Sequence, residues 1–194
     1  MKLSIDVKCA SPIDWIEAVQ TDFPSFLQDH ADCERKASSM AMSLVAKYPN
    51  RELIIGDLID TAIEELEHFN QVYQIMKERN IPLPSNMEKD IYVQNLLKCM
   101  HSGIEERFLD RLLLGSVIEC RGAERFKLVA EHCSDESLKR FYKQLWTSEA
   151  KHGHIFVKLA LHYFEEKKVY SRLDELTDLE AEILLALPIR PKLH

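Results

Sequence analysis

Two short stretches pair a glutamate with a histidine three residues later: Glu65 and His68 in EELEHF, and Glu149 and His152 in SEAKHG. Side chains three apart share one face of a helix. Carboxylate and imidazole together are ligands for a transition metal or partners in acid–base work. One Glu-x-x-His is a weak signal in a chain rich in glutamate with eight histidines. Two at matching places carry more, provided that their faces are buried.

Steps of three and four residues trace the core stripe of a helix. The first long helical segment gives Leu27, Ala31, Glu34, Ser38, Ala41, Val45 and Tyr48. The second gives Ile54, Leu58, Thr61, Glu65, His68, Val72 and Ile75. The third gives Phe108, Leu112, Gly115, Glu119, Gly122, Phe126 and Val129. The fourth gives Leu138, Tyr142, Leu145, Glu149, His152, Phe156, Leu159 and Tyr163. Each stripe is mostly apolar or small, and one glutamate interrupts each. A buried carboxylate with no partner is very costly, and four together repel one another, so they call for a cation. Glutamates 34, 65, 119 and 149 with histidines 68 and 152 form the ligand set of a di-iron or di-manganese carboxylate bundle. One Glu comes from each of two helices and a Glu-x-x-His from each of the others.

Height gives an independent test. In an antiparallel pair, residues at one level are equidistant from the turn. Glu34 and Glu65 centre on the YPN break, and Glu119 and Glu149 on HCSDES. Each lies about 22 Å from its turn at roughly 1.5 Å per residue.

The elements that must carry these residues follow from caps and breakers. A short helix spans about 11–19, with Ser11 as cap and Pro12 in its first turn. Long helices run from about Pro24 to Tyr48, Glu52 to Arg79, Ile104 to Glu131 and Glu136 to Glu166. A helix of about Met87 to Met100 sits in the connection between the second and third. DLEAEILLAL makes a last amphipathic helix, and with the proline-interrupted tail PIRPKLH it fills about 174–194. No strand pattern is present. The expectation is an all-α four-helix bundle, a single domain over residues 1–194, with extra short helices and a long crossover between helices two and three.

Composition agrees. The chain has 194 residues, 46 % of them hydrophobic, with five glycines and a formal net charge of −7. That size supports one sizeable core. The acidity argues against a general nucleic-acid coat but leaves room for a local basic patch. Candidates for phosphate contact are Lys139, Arg140, Lys143, Lys167, Lys168, Arg190 and Lys192, with Arg35, Arg121 and Arg125 near the ligand helices. The five cysteines, at 9, 33, 99, 120 and 133, include no C-x-x-C pair and read as free thiols of a reducing compartment. Without that pair there is no cysteine-ligated electron-transfer iron of the rubrerythrin kind. No apolar signal core opens the chain and no run is long enough to span a membrane, so a soluble cytoplasmic protein is expected. Glu64, Glu67, Glu124 and His154 lie off the stripes and read as solvated or paired side chains. Gly115 and Gly122, one turn either side of Glu119, mark either open space or close helix contact.

The runs DHADCERKAS (29–38), EELEHF (64–69), IECRGAERF (118–126) and SEAKHG (148–153) resemble the bacterial tRNA 2-methylthio-N6-isopentenyladenosine hydroxylases, within the ferritin-like di-iron superfamily. The likeness extends over most of the chain; Gly122 is a minor departure from the third run. It implies a ferritin-like fold and a non-haem di-iron monooxygenase. The enzyme would hydroxylate the isopentenyl group of the modified adenosine beside the tRNA anticodon. Carried over position by position, the ligands are Glu34, Glu65, His68, Glu119, Glu149 and His152, the set already read from the stripes. Two iron ions, dioxygen as co-substrate, and electrons from an external reductase or ferredoxin are implied. Monomer or small oligomer is the expected state. A ferroxidase or iron-storage bundle is the alternative that the ligands alone also fit.

Overall fold

The computed structural model describes residues 6–86 and 89–194. Its described residues form seven α-helices and no strand: α1 Ile13–Thr21, α2 Phe23–Lys47, α3 Glu52–Glu78, α4 Ile91–Lys98, α5 Ile104–His132, α6 Glu136–Leu161 and α7 Glu166–Ala186. The all-α expectation holds. The described residues divide into two compact units. One contains Glu17 onward through α2 and α3, together with Ile189–Leu193. The other contains the segment up to Ile16, Lys89–Pro188 and His194.

In the first unit α2 and α3 form an antiparallel pair. Asp22 caps α2, its carboxylate accepting from the Ser25 amide at 3.2 Å, and Pro24 occupies the first turn, where its missing N–H costs nothing. Just past the C-cap Arg79 of α3, Asn80 takes a left-handed φ of 56°, a conformation asparagine tolerates. The Ile81 amide then reaches back to the Met76 carbonyl at 2.9 Å and closes the end. The tail returns to this unit: Lys192 pairs with Asp29 at 3.5 Å, and the Leu193 amide donates to Asp29 Oδ2 at 2.8 Å.

In the second unit α5 and α6 form the other antiparallel pair, and α4 and α7 pack beside them. Asp135 caps α6 by accepting from the Ser137 and Leu138 amides. Asp90 caps α4 through the Val93 amide at 3.0 Å. The expected start of α4, at Met87, lies outside the described residues.

Several boundaries differ from the sequence expectation. The fourth long helix stops at Leu161 rather than Glu166, and α7 begins at Glu166 rather than about 174. The intervening His162–Glu165 contains no glycine or proline. Its break is tertiary: Tyr163 meets the Phe108 ring edge-on at 5.6 Å, and Phe164 lies against the same ring at 5.8 Å. The first helix runs Ile13–Thr21 rather than 11–19. Ser11 lies before it, with its amide and hydroxyl both donating to Glu124 (2.8 and 2.7 Å).

Candidate metal centre

The α2–α3 pair holds three of the expected ligands. Glu34 is 3 % exposed, Glu65 0 % and His68 8 %. Each offers a ligand atom within 4.8 Å of the other two. His68 Nδ1 lies 3.4 Å from Glu65 Oε2 and 3.7 Å from Glu34 Oε2, longer than a good hydrogen bond. The groups converge without saturating one another. One turn away, the Ser38 hydroxyl donates to the Ala62 carbonyl at 2.8 Å and fixes the level of α2 against α3. His30, fully buried, places Nε2 2.7 Å from Glu34 Oε1. The two oxygens of Glu34 therefore have different duties: Oε1 is held within its own helix, and Oε2 faces His68.

The α5–α6 pair holds the other three. Glu119, Glu149 and His152 are buried, and their ligand atoms again lie within 4.8 Å of one another. His152 Nδ1 is 3.2 Å from Glu149 Oε2. Beside them the helices approach closely. The Ser116 hydroxyl donates to the Gly153 carbonyl at 2.6 Å. A Cβ at Gly153 would stand 2.6 Å from Cys120 Sγ and 3.4 Å from the Ser116 carbonyl oxygen. Glycine is the residue this contact allows, and it follows His152 directly. Gly115 is also a packing glycine, since its Cβ would meet the Phe156 ring at 3.3 Å. Gly122 is different: its Cβ would meet only Phe126, at 4.0 Å. The two readings of these glycines thus separate, close contact at Gly115 and room at Gly122.

Each unit gathers two carboxylates and one imidazole in a buried place. Desolvation and mutual repulsion penalise such carboxylates as anions. Mixed oxygen and nitrogen donors suit iron or manganese, whereas the thiolates that favour a structural zinc are absent from both sets. The donor chemistry of each set fits one such metal. Among the flanking residues, Glu67 is exposed, and Glu64 and His154 are half-buried.

The sequence did not disclose the charged network on the far side of α5. Arg121 is fully buried and donates to both oxygens of Glu180, at 2.7 and 3.0 Å. It also reaches Glu124 at 3.0 Å and the Cys9 carbonyl at 2.9 Å. The Tyr92 hydroxyl donates to Glu180 as well, at 3.0 Å. Burial works against the charge on Arg121, but its hydrogen bonds to Glu180 and that carboxylate's charge outweigh it and hold the guanidinium protonated. Arg125 lies 4.6 Å over the Trp15 ring; burial, then the charge of Arg121, lowers its pKa to about 10. These two arginines are therefore structural, and the expectation that they face phosphate is corrected. A second buried pair, Arg172 and Asp110, anchors the crossover by also binding the Cys99 carbonyl and the His101 amide. The signal available was the i, i+4 spacing of Arg121 and Arg125 beside the third stripe, but their partners lie in other elements. The five cysteines are free and half-buried, and burial pushes the Cys120 thiol up to about 12.

Comparison with known proteins bears on these sets. The chain is 36 % identical to a Pseudomonas putida protein named tRNA 2-(methylsulfanyl)-N(6)-isopentenyladenosine(37) hydroxylase, over 91 % of this chain and 85 % of that one. It is 28 % identical to the Salmonella typhimurium protein of the same name, over 92 % of this chain and 83 % of the relative. A solved structure described as protein 43 with aldehyde deformylating oxygenase activity, from Synechococcus, matches with a TM-score of 0.90 and 32 % identity. The match covers 97 % of this chain and 94 % of that one, in line with the ferritin-like class expected. The model of the family described as tRNA-(MS[2]IO[6]A)-hydroxylase (MiaE) matches residues 3–194, and the chain belongs to that family.

Proposed function

We propose that this chain is a non-haem di-iron monooxygenase that hydroxylates the isopentenyl group of 2-methylthio-N6-isopentenyladenosine beside the tRNA anticodon. The observation that carries the reading is the pair of equivalent donor sets, Glu34, Glu65 and His68 on α2–α3 and Glu119, Glu149 and His152 on α5–α6, in a chain of this hydroxylase family. Each set contributes two carboxylates and one imidazole. Two iron ions held there supply oxidation by dioxygen, with electrons from an external reductase or ferredoxin.

The chain's own groups set the conditions. Four glutamates balance the charge of two dications, and each imidazole contributes one ring nitrogen. His30 holds Glu34 Oε1 and leaves Oε2 for ligation. No helix among the described residues is long and apolar enough to cross a membrane; we place the enzyme in the cytoplasm, with its tRNA, as a monomer or small oligomer.

Family membership favours this reading over a ferroxidase or iron store. The test is nucleoside mass analysis of bulk tRNA from cells with and without the gene. The expected result is loss of one oxygen from the hypermodified adenosine when the gene is absent, restored by the wild-type gene but not by Glu119→Ala or His152→Ala. An unchanged nucleoside profile refutes the substrate.

A further inference from the structure

Helix α3 has two seams. One is the buried stripe that carries Glu65 and His68. The other faces solvent: Ile59, Ile63, Leu66 and Tyr73 share one side of the helix and are between 39 % and 55 % exposed. A single exposed apolar side chain is ordinary, whereas a contiguous row marks an interaction site. The row is part of a longer pattern. With Glu52, Gly56, Asn70 and Lys77 it runs in alternating steps of four and three, the 3.5-residue repeat of a helix that packs along another, and all eight residues are exposed. Gly56 sharpens this. Glycine weakens a helix interior, yet a Cβ there would meet no described atom within 4 Å. No contact among the described residues calls for a glycine at that place.

We propose that this seam pairs with the same seam of a second copy of the chain, the two α3 helices running antiparallel about a two-fold axis. The spacing selects that occupant. The eight positions are symmetric about the point between residues 64 and 65, and a two-fold axis there sets each against its counterpart. Ile63 meets Leu66 of the second copy, and Leu66 meets Ile63, so the centre is apolar. The Tyr73 ring lies over Gly56, which accounts for the missing side chain. Asn70 faces Ile59, a polar layer of the kind that costs stability and fixes register. At both ends Glu52 faces Lys77. Charge complementarity thus specifies the antiparallel sense, since a parallel pair would set Glu52 on Glu52 and Lys77 on Lys77. The seam spans about 37 Å at roughly 1.5 Å per residue and is about 10 Å wide. It covers about 400 Å² per copy, half of the ~800 Å² of a standard interface, so the dimer is weak, with a dissociation constant on the order of 10 µM. Asp60 and Glu67, exposed along one edge, approach each other across the axis and add to that weakness. Glu65 and His68 lie on the other side of the helix, so the pairing rests on none of the chemistry proposed above.

Sedimentation equilibrium of the full chain, over about 1 to 100 µM, reads the dissociation constant. Ile63→Lys places two like charges at the apolar centre and should weaken the dimer about 100-fold, leaving a monomer across that range. Glu52→Lys or Lys77→Glu alone makes both end pairs repulsive and should weaken it about ten-fold. The two together restore opposite charges across the axis and should return the constant to within about three-fold of wild type. Effects of these charges on their own helix ends run the other way, because each swap opposes the macrodipole and the double variant carries both penalties. Rescue therefore reports the partner copy. Helical content by circular dichroism and iron content are measured on the same preparations and should match the wild type. A wild type that stays monomeric over the whole range overturns the proposal, as does a dimer indifferent to Ile63→Lys. A double swap weaker than either single overturns the antiparallel pairing. Cosedimentation of a monomeric wild type with vesicles of phosphatidylcholine and phosphatidylglycerol, lost in Ile63→Lys, would also overturn it and give the seam to a lipid surface. The hydroxylase reading stands or falls separately, on the nucleoside profile.

Discussion

Replacing Glu180 by leucine strands Arg121. In the wild type Glu180 accepts two hydrogen bonds from the guanidinium and one from the Tyr92 hydroxyl, and Arg121 is 0 % exposed. Losing one member of a buried pair costs about 3–5 kcal/mol, because the remaining charge stays desolvated. Glu124 and the Cys9 carbonyl still reach Arg121 and keep the loss toward the lower end. For a chain of this length the unfolding entropy is about 0.4 kcal/mol/K, so a loss of about 3 kcal/mol lowers Tm by about 7 °C. The double variant Arg121→Met with Glu180→Leu removes both charges and fills the space with apolar groups. It should be more stable than Glu180→Leu alone. Urea unfolding followed by circular dichroism measures all three. A single-variant loss below about 1 kcal/mol, or a double variant no better than the sum of the singles, refutes the account of the network as a mutually dependent buried pair.

Three further outcomes are expected. His30→Leu should weaken iron binding about 10- to 100-fold, the usual effect of losing the group that orients a ligand, and His30→Gln, which restores a donor, should recover it; metal titration followed by iron absorbance reads this, and equal loading by the leucine variant removes His30 from the role. Gly153→Ala should destabilise by about 1–3 kcal/mol through overpacking against Cys120, and adding Cys120→Ala should recover most of the loss; a destabilisation that persists in the double variant places the strain elsewhere. Burial, then the charge of Glu180, raises the Tyr92 phenol well above its ordinary value near 10. The unfolded phenol ionises first, so stability present below that pH is lost as pH climbs past it, by up to about 1.4 kcal/mol per pH unit. Tyr92→Phe should flatten that fall in urea titrations between neutral and strongly alkaline pH, and a parallel curve counts against it.

The burial of the four stripe glutamates was legible because charge in an apolar stripe is costly and therefore conspicuous, and because equal distance from a turn fixes level in an antiparallel pair. Each of the four, like His68 and His152, lies buried within its own helix pair, as that reasoning requires. His30 escaped notice since it lies four residues before Glu34 on the same helix, where an i, i+4 pair looks like ordinary surface chemistry until burial is known. Arg121 was read by charge alone, and nothing local tells a buried arginine from an exposed one when its partner is 59 residues away. The division of α6 from α7 was hidden for a related reason. His162, Tyr163, Phe164 and Glu165 are all acceptable in a helix, and only contact with Phe108 turns the chain there.

That aromatic clasp has a kinetic consequence. The bend between α6 and α7 is written into no local sequence, so it forms only after α5 has presented Phe108, more than fifty residues earlier in the chain. Before that contact nothing in His162–Glu165 itself, which has no glycine or proline, stops the helix there. The corner closes only when Tyr163 and Phe164 reach a ring far away in the sequence, which makes it a late contact. A contact that forms late leaves the refolding rate nearly unchanged, so Phe108→Leu should mainly speed unfolding, read by stopped-flow unfolding in urea.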